Sequence, residues 1–236
     1  MNATDLYRAG KLDEAIGALG ESLRGDPTNG RLRTFLFELL CFAGDLDRAE
    51  KQLDVLARGG KEAEMGALVY RSALHGERLR RAVFAPHGIA PSSAAPRTVK
   101  GTMNGQPFGS LEDADPRVGA RLEIFAAGQY TWLPLEQIAS VSMAPPKRLR
   151  DLLWAPAIVH TSPDFQDVEL GEVLLPVLTP EAFSHADPEI RLGRVTEWQT
   201  RDDGTDVPVG QRLLLLDGEA FPLLELRELV IAGPAD

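Results

Sequence analysis

Up to about residue 84 the apolar positions follow a helical period, and the pattern predicts helices at about 3–9, 11–24, 29–43, 45–58 and 62–84. Asn, Asp, Gly and Pro fall where those runs break. Beyond residue 98 the pattern changes to short apolar runs separated by the turn pairs Asn104-Gly105, Ala127-Gly128, Asp203-Gly204 and Asp217-Gly218, which predict β-hairpins. The clearest is Gln211 to Leu216 against Glu219 to Leu224, with Leu226 to Ile231 continuing as a third strand. Short helical stretches are expected at Leu135 to Ile138 and Lys147 to Leu153. The fold class is therefore α+β: α-helical hairpins followed by a mostly antiparallel domain.

The helical part repeats. Shifted by 34 residues, Leu6, Ala9, Gly10, Leu12, Asp13, Ala15 and Leu19 recur as Leu40, Ala43, Gly44, Leu46, Asp47, Ala49 and Leu53. Unrelated segments would share roughly one residue in a window of that size, and 34 is the tetratricopeptide period. Gly10 and Gly44 then mark turns between antiparallel helices, where a positive φ is needed, and Ala15 and Ala49 allow close helix contact. Asp26-Pro27 ends the first unit. Two units leave an apolar face open, so the fifth helix, with Met65, Leu68, Leu74, Leu79 and Val83, is expected to cap one end, and Arg78, Arg80 and Arg81 suit its C-terminal dipole.

Residues 85–97, with the uncharged run APHGIAPSSAAP, read as a linker between a helical domain at 1–84 and an α+β domain at 98–236. The charge divides there. Residues 1–85 hold 13 basic and 13 acidic groups, whereas the remainder holds 12 and 22, which accounts for the whole net charge of −10. Without a basic face, nucleic acid is not an expected partner. Charged residues from Asp5 to Glu14 interrupt any secretory leader, and the longest uncharged run is short and broken by prolines, so a cytoplasmic chain without a membrane span is expected. The single cysteine, Cys41, lies in an apolar helical pattern and reads as a core residue.

Candidate chemistry is sparse. His75, His87, His160 and His185 show no chelating spacing, and no phosphate loop, dinucleotide fingerprint or nucleophile elbow occurs, so no catalytic residue, metal site or cofactor is expected. Glu112, Asp113 and Asp115 could hold a hard cation, but their setting reads as a solvated turn capping a helix at Arg117. His160 and the His185/Asp187 pair have no partner nameable from sequence. Tyr130 and Trp132 share one face of a predicted strand, and Trp154 follows Arg150 and Asp151; these residues are either core and internal ion pair, or anchors for a partner.

Several ordered blocks carry a resemblance: NGQPFGSLEDADPRVGARLE (104–123), GQYTWLP (128–134), PPKRLRDLLWAPA (145–157), GEVLLPVL (171–178), RLGRVTEW (191–198), GQRLLLLD (210–217) and LLELREL (223–229). With the helical repeat they resemble the ImpE/TagJ family of type VI secretion accessory proteins over nearly the whole chain. Where that family commonly has an aromatic-Pro-Gly-Ser stretch, this chain has Thr179-Pro180-Glu181-Ala182. The resemblance implies a non-catalytic cytosolic adaptor that binds the N-terminal helix of the small contractile-sheath subunit and is associated with the ClpV-type AAA+ ATPase. A general repeat scaffold in another pathway, or an enzyme with an unrecognised site, are the alternatives. Candidate partner-gripping residues are Leu36, Phe37, Leu40 and Phe42 in the repeat, and Tyr130, Trp132, Arg150, Asp151 and Trp154 beyond it.

Overall fold

The computed structural model describes residues 1–85, 88, 97–163 and 170–232. Five helices come first: α1 (Ala3–Arg8), α2 (Leu12–Gly25), α3 (Gly30–Phe42), α4 (Leu46–Leu56) and α5 (Lys61–Phe84). The side chains of Asn2, Asn29 and Asp45 accept from the backbone N–H three residues on, so α1, α3 and α4 each start on a side-chain cap.

The two predicted elbows are the same structure. Gly10 and Gly44 have φ of 74° and 73°. Gly10 N–H donates to Tyr7 O and Lys11 N–H to Leu6 O, while Gly44 N–H donates to Cys41 O and Asp45 N–H to Leu40 O, which is the Schellman pattern at both sites. Leu6, Leu12, Ala15 and Leu19 are buried, as are Leu40, Leu46, Ala49 and Leu53, so the repeated residues occupy repeated core positions.

Thirteen strands are described after the helices. β1 (Gly101–Met103), β2 (Gln106–Phe108), β4 (Arg121–Ala126), β5 (Gln129–Pro134), β6 (Ile138–Met143), β7 (Trp154–Thr161), β8 (Gly171–Pro176) and β13 (Glu228–Ile231) form an antiparallel sheet in the order β2-β1-β13-β6-β7-β8-β4-β5. A second sheet joins β12 (Glu219–Pro222), β11 (Leu213–Leu216) and β3 (Leu111–Asp113), and β9 (Glu197–Thr200) pairs with β10 (Asp206–Val209). A short helix, α6 (Pro188–Arg191), precedes β9. All four turn pairs join hairpins; Asn104, Ala127 and Asp217 take positive φ before a positive-φ glycine, as tight hairpin turns require. Short 3-10 turns occupy Leu135–Gln137 and Leu149–Leu152.

One strand goes elsewhere than expected. β13 does not extend the β11–β12 hairpin: the 3-10 turn Leu223–Glu225 redirects the chain, and β13 enters the large sheet between β1 and β6. The hairpin's third strand is β3, which arrives from a hundred residues earlier. Most of the expected linker, 85–97, lies outside the described residues, as does His87.

Two main apolar clusters result. One, drawn from residues 99–231, lies within the strand-rich part; the other joins the helices to Phe125, Leu153, Trp154, Leu178, Ala182, Phe183 and Leu192. The open face of the repeat is therefore closed largely by the rest of the chain rather than by α5 alone. Met65 and Leu68, expected in the cap, project into solvent.

Candidate functional site

A helical repeat offers its concave face, so the seam between α1, α3, α5 and the strand-rich part is where a binding surface is sought. The seam is dense. Leu36, Phe37, Leu40 and Phe42 are buried in the shared core, and Phe37 meets Tyr70, which in turn faces Trp154 with ring centroids 6.4 Å apart. Trp154 is also buried. Arg150 lies over the Tyr70 ring and donates to Glu38 of α3 at 3.2 Å, while Asp151 accepts from the Lys147 and Arg148 amides, so these two do not pair with each other. Burial raises the Glu38 carboxyl against the pull of Arg150.

Tyr130 and Trp132 are likewise internal. The Trp132 indole N–H donates to the Tyr130 hydroxyl, which donates to Glu123, and Phe84 packs on Trp132. As folded, the apolar and aromatic candidates are committed to the seam: a free surface is not what they offer. Of the three tryptophans only Trp198, on β9, is half exposed.

Beneath Tyr130 lies a fully buried charge cluster. Arg80 of α5 grips Glu123 of β4 with Nε to Oε1 at 2.7 Å and Nη2 to Oε2 at 3.0 Å; Arg212 reaches Glu123 at 3.3 Å and also binds Asp113. Burial works to raise the Glu123 carboxyl, but the two guanidiniums overcome it and hold the pKa at about 2; burial pushes Asp113 up to about 6 against Arg212. The expected solvated turn at 112–115 is thus mostly wrong: Glu112 is exposed, whereas Asp113 and Asp115 are buried acceptors. Asp115 caps no helix; it binds the Arg117 amide and guanidinium within a turn. Arg78, Arg80 and Arg81 serve tertiary contacts instead of the helix end, to Asp47 and Glu50, to Glu123, and to the Gly44 carbonyl respectively.

At the departure from the family pattern, Thr179 Oγ1 accepts from the Gly210 amide and Glu181 binds Arg117 and Arg201, so the segment is tied into the fold. His75 and His160 are exposed, and His185 Nε2 lies 3.0 Å from Glu197. Among the described residues no group of His, Cys, Asp and Glu is placed to hold a metal ion, and no helix is long and apolar enough to cross a membrane.

Part of the concave face stays open. A cleft of about 510 Å³ runs between α1, α3 and the 146–152 segment, with Tyr7, Phe35, Leu149 and Leu152 as its apolar lining and Arg8, Lys147 and Arg148 beside them. Tyr7 and Phe35 meet edge to face at 5.8 Å. None of the four apolar residues was a sequence candidate; the i, i+3 spacing of Leu149 and Leu152 was the available signal.

The tetratricopeptide repeat model matches residues 6–69, and the ImpE protein family model matches residues 105–230. The chain is 37% identical over 263 aligned positions to the Pseudomonas aeruginosa protein called type VI secretion system accessory component TagJ, covering 97% of this chain and 90% of that one. A crystal structure of a Vibrio parahaemolyticus protein shares the fold, with a TM-score of 0.84 and 21% identity over 98% of both chains. With the strand-rich part matched by its model and a relative aligned almost end to end, the chain belongs to the ImpE family.

Proposed function

We propose that this chain is a non-catalytic accessory adaptor of a bacterial type VI secretion system, acting in the cytoplasm. It binds the N-terminal helix of the small contractile-sheath subunit and is thereby linked to sheath recycling by the ClpV-type ATPase. The observation that carries the reading is the 37% identity, over 97% of the chain, to a protein named as a type VI accessory component. The geometry is compatible with it: the cleft beside Glu38 and Arg150 has the apolar lining that one face of an amphipathic helix needs, and the buried titratable cluster is bonded internally rather than turned toward a substrate. Residues 1–84 serve as its helical domain and 98–236 as its α+β domain, two domains packed together through a shared apolar cluster.

Calorimetry with the full chain, the sheath-subunit peptide and the intact subunit tests this. Binding is expected, with a loss of about 2 kcal/mol on Phe35→Ala or Leu149→Ala if these are anchors. No binding to either the peptide or the subunit discards the adaptor reading. Binding that ignores both substitutions keeps the adaptor but moves its site.

A further inference from the structure

Helix α5 has one face and two environments. Toward its C-terminal half that face meets the sheet: a side chain at Gly76 would lie 3.0 Å from Phe125, and one at Gly128 would touch Ser72. Toward its N-terminal half the same face carries Met65, Leu68 and Val69, spaced i, i+3, i+4, and these are 59%, 56% and 51% exposed. They account for three of the eight large exposed hydrophobics among the described residues. At the step between the two halves lies a cleft of about 280 Å³ lined by Val69, Ala73, Phe125, Val173 and Leu174.

In a helical repeat this is where a next helix would stack. α5 follows α4 in the array, and after it the described chain re-enters as strands. We infer that the exposed half of α5 and the adjoining cleft form a docking surface for one amphipathic helix of another protein, bearing basic residues beside its apolar stripe. The helical form follows from the array, which leaves room for a helix laid along α5 with its own i, i+3, i+4 residues over Met65, Leu68 and Val69. The charge follows from the rim. Among the described residues Glu62, Glu64 and Glu172 are exposed and hold no ion pair, with Arg58 and Lys61 as the basic side chains at the helix start, and the whole chain carries −10. A second copy of this chain would set those glutamates against their counterparts, which disfavours self-pairing. The surface is separate from the cleft between α1 and α3, whose rim is basic.

The test uses the full chain and two synthetic helical peptides with the same leucine stripe, one flanked by lysines and one by glutamates, followed by fluorescence anisotropy. The lysine peptide is expected to bind, at least about tenfold more tightly than the glutamate peptide, and to weaken as salt rises. Leu68→Glu, expected to leave melting unchanged because Leu68 is exposed, should weaken it by at least about tenfold, and Glu64→Lys with Glu172→Lys should erase the preference between peptides. Phe35→Ala in the other cleft should change nothing. The inference is overturned if neither peptide binds, if both bind alike, if Leu68→Glu has no effect, or if the wild-type chain dimerises and Leu68→Glu makes it monomeric.

Discussion

The two halves of α5 are one uninterrupted helix with opposite commitments. From Ala73 to Phe84 it is fixed to the sheet by the Arg80–Glu123 pair, by Phe125 against Gly76 and by Phe84 on Trp132; from Lys61 to Ser72, Ala67 and Tyr70 pack into the helical core on one side while Met65, Leu68 and Val69 face water on the other. Apolar periodicity is present in both halves, so periodicity identifies the helix and not what covers it. What separates the halves is the reach of the sheet: the β4–β5 turn at Gly128 lies beside Ser72, at the step between them.

The largest effect should come from breaking the fixed half. Glu123→Gln leaves Arg80 and Arg212 buried with the shared carboxylate gone, and should cost about 3–5 kcal/mol in urea unfolding. A loss below about 1 kcal/mol would mean that the apolar contacts alone hold α5 to the sheet. The same cluster sets a pH signature. Glu123 titrates at about 2 when folded, below its ordinary value of 4.5, so its contribution is complete above the unfolded pKa and is lost as pH falls through 4.5 toward 2. Asp113, raised to about 6 from 3.8, acts in the opposite sense: it favours the folded state at low pH and that contribution disappears as pH rises through 6. Unfolding midpoints measured from pH 7 to pH 3 should therefore show Glu123→Gln flattening the acid fall below pH 4.5, and Asp113→Asn flattening the change between 4 and 6.

A smaller effect is expected at the elbows. Gly44→Val should cost about 1–3 kcal/mol, because φ is 73° there and a Cβ would meet Phe183 at 3.0 Å and Arg81 at 3.2 Å. An unchanged midpoint would show that the elbow can be rebuilt without positive φ. This site marks how far the sequence was readable. The elbow is built within a few residues and repeats at a fixed offset, so Gly10 and Gly44 announce it; the Asn-Gly and Asp-Gly hairpins are local in the same way. The seam is not local. Arg80 finds Glu123 43 residues away, Arg150 finds Glu38 at 112 and Arg191 finds Asp13 at 178, and no spacing rule links such partners. For that reason Leu36 and Phe37 read as partner-gripping residues, Trp154 read as either core or partner anchor, Asp113 read as solvated, and the cleft at Tyr7, Phe35, Leu149 and Leu152 went unseen.

The smallest expected effect on stability is the one that most sharpens the contrast. Leu68 is 56% exposed, so Leu68→Glu removes little buried area and should change stability by no more than about 0.5 kcal/mol, whereas the same exchange at Leu74, fully buried six residues later on the same helix, should prevent stable folding. The two variants measured side by side compare one chemistry in two environments. If Leu68→Glu is as damaging as Leu74→Glu, the outer half of α5 is covered in the folded protein and the two-sided description of the helix fails. If it is neutral, retaining three large apolar side chains there has no explanation in the stability of the isolated chain, and their role has to be sought in contact with something else.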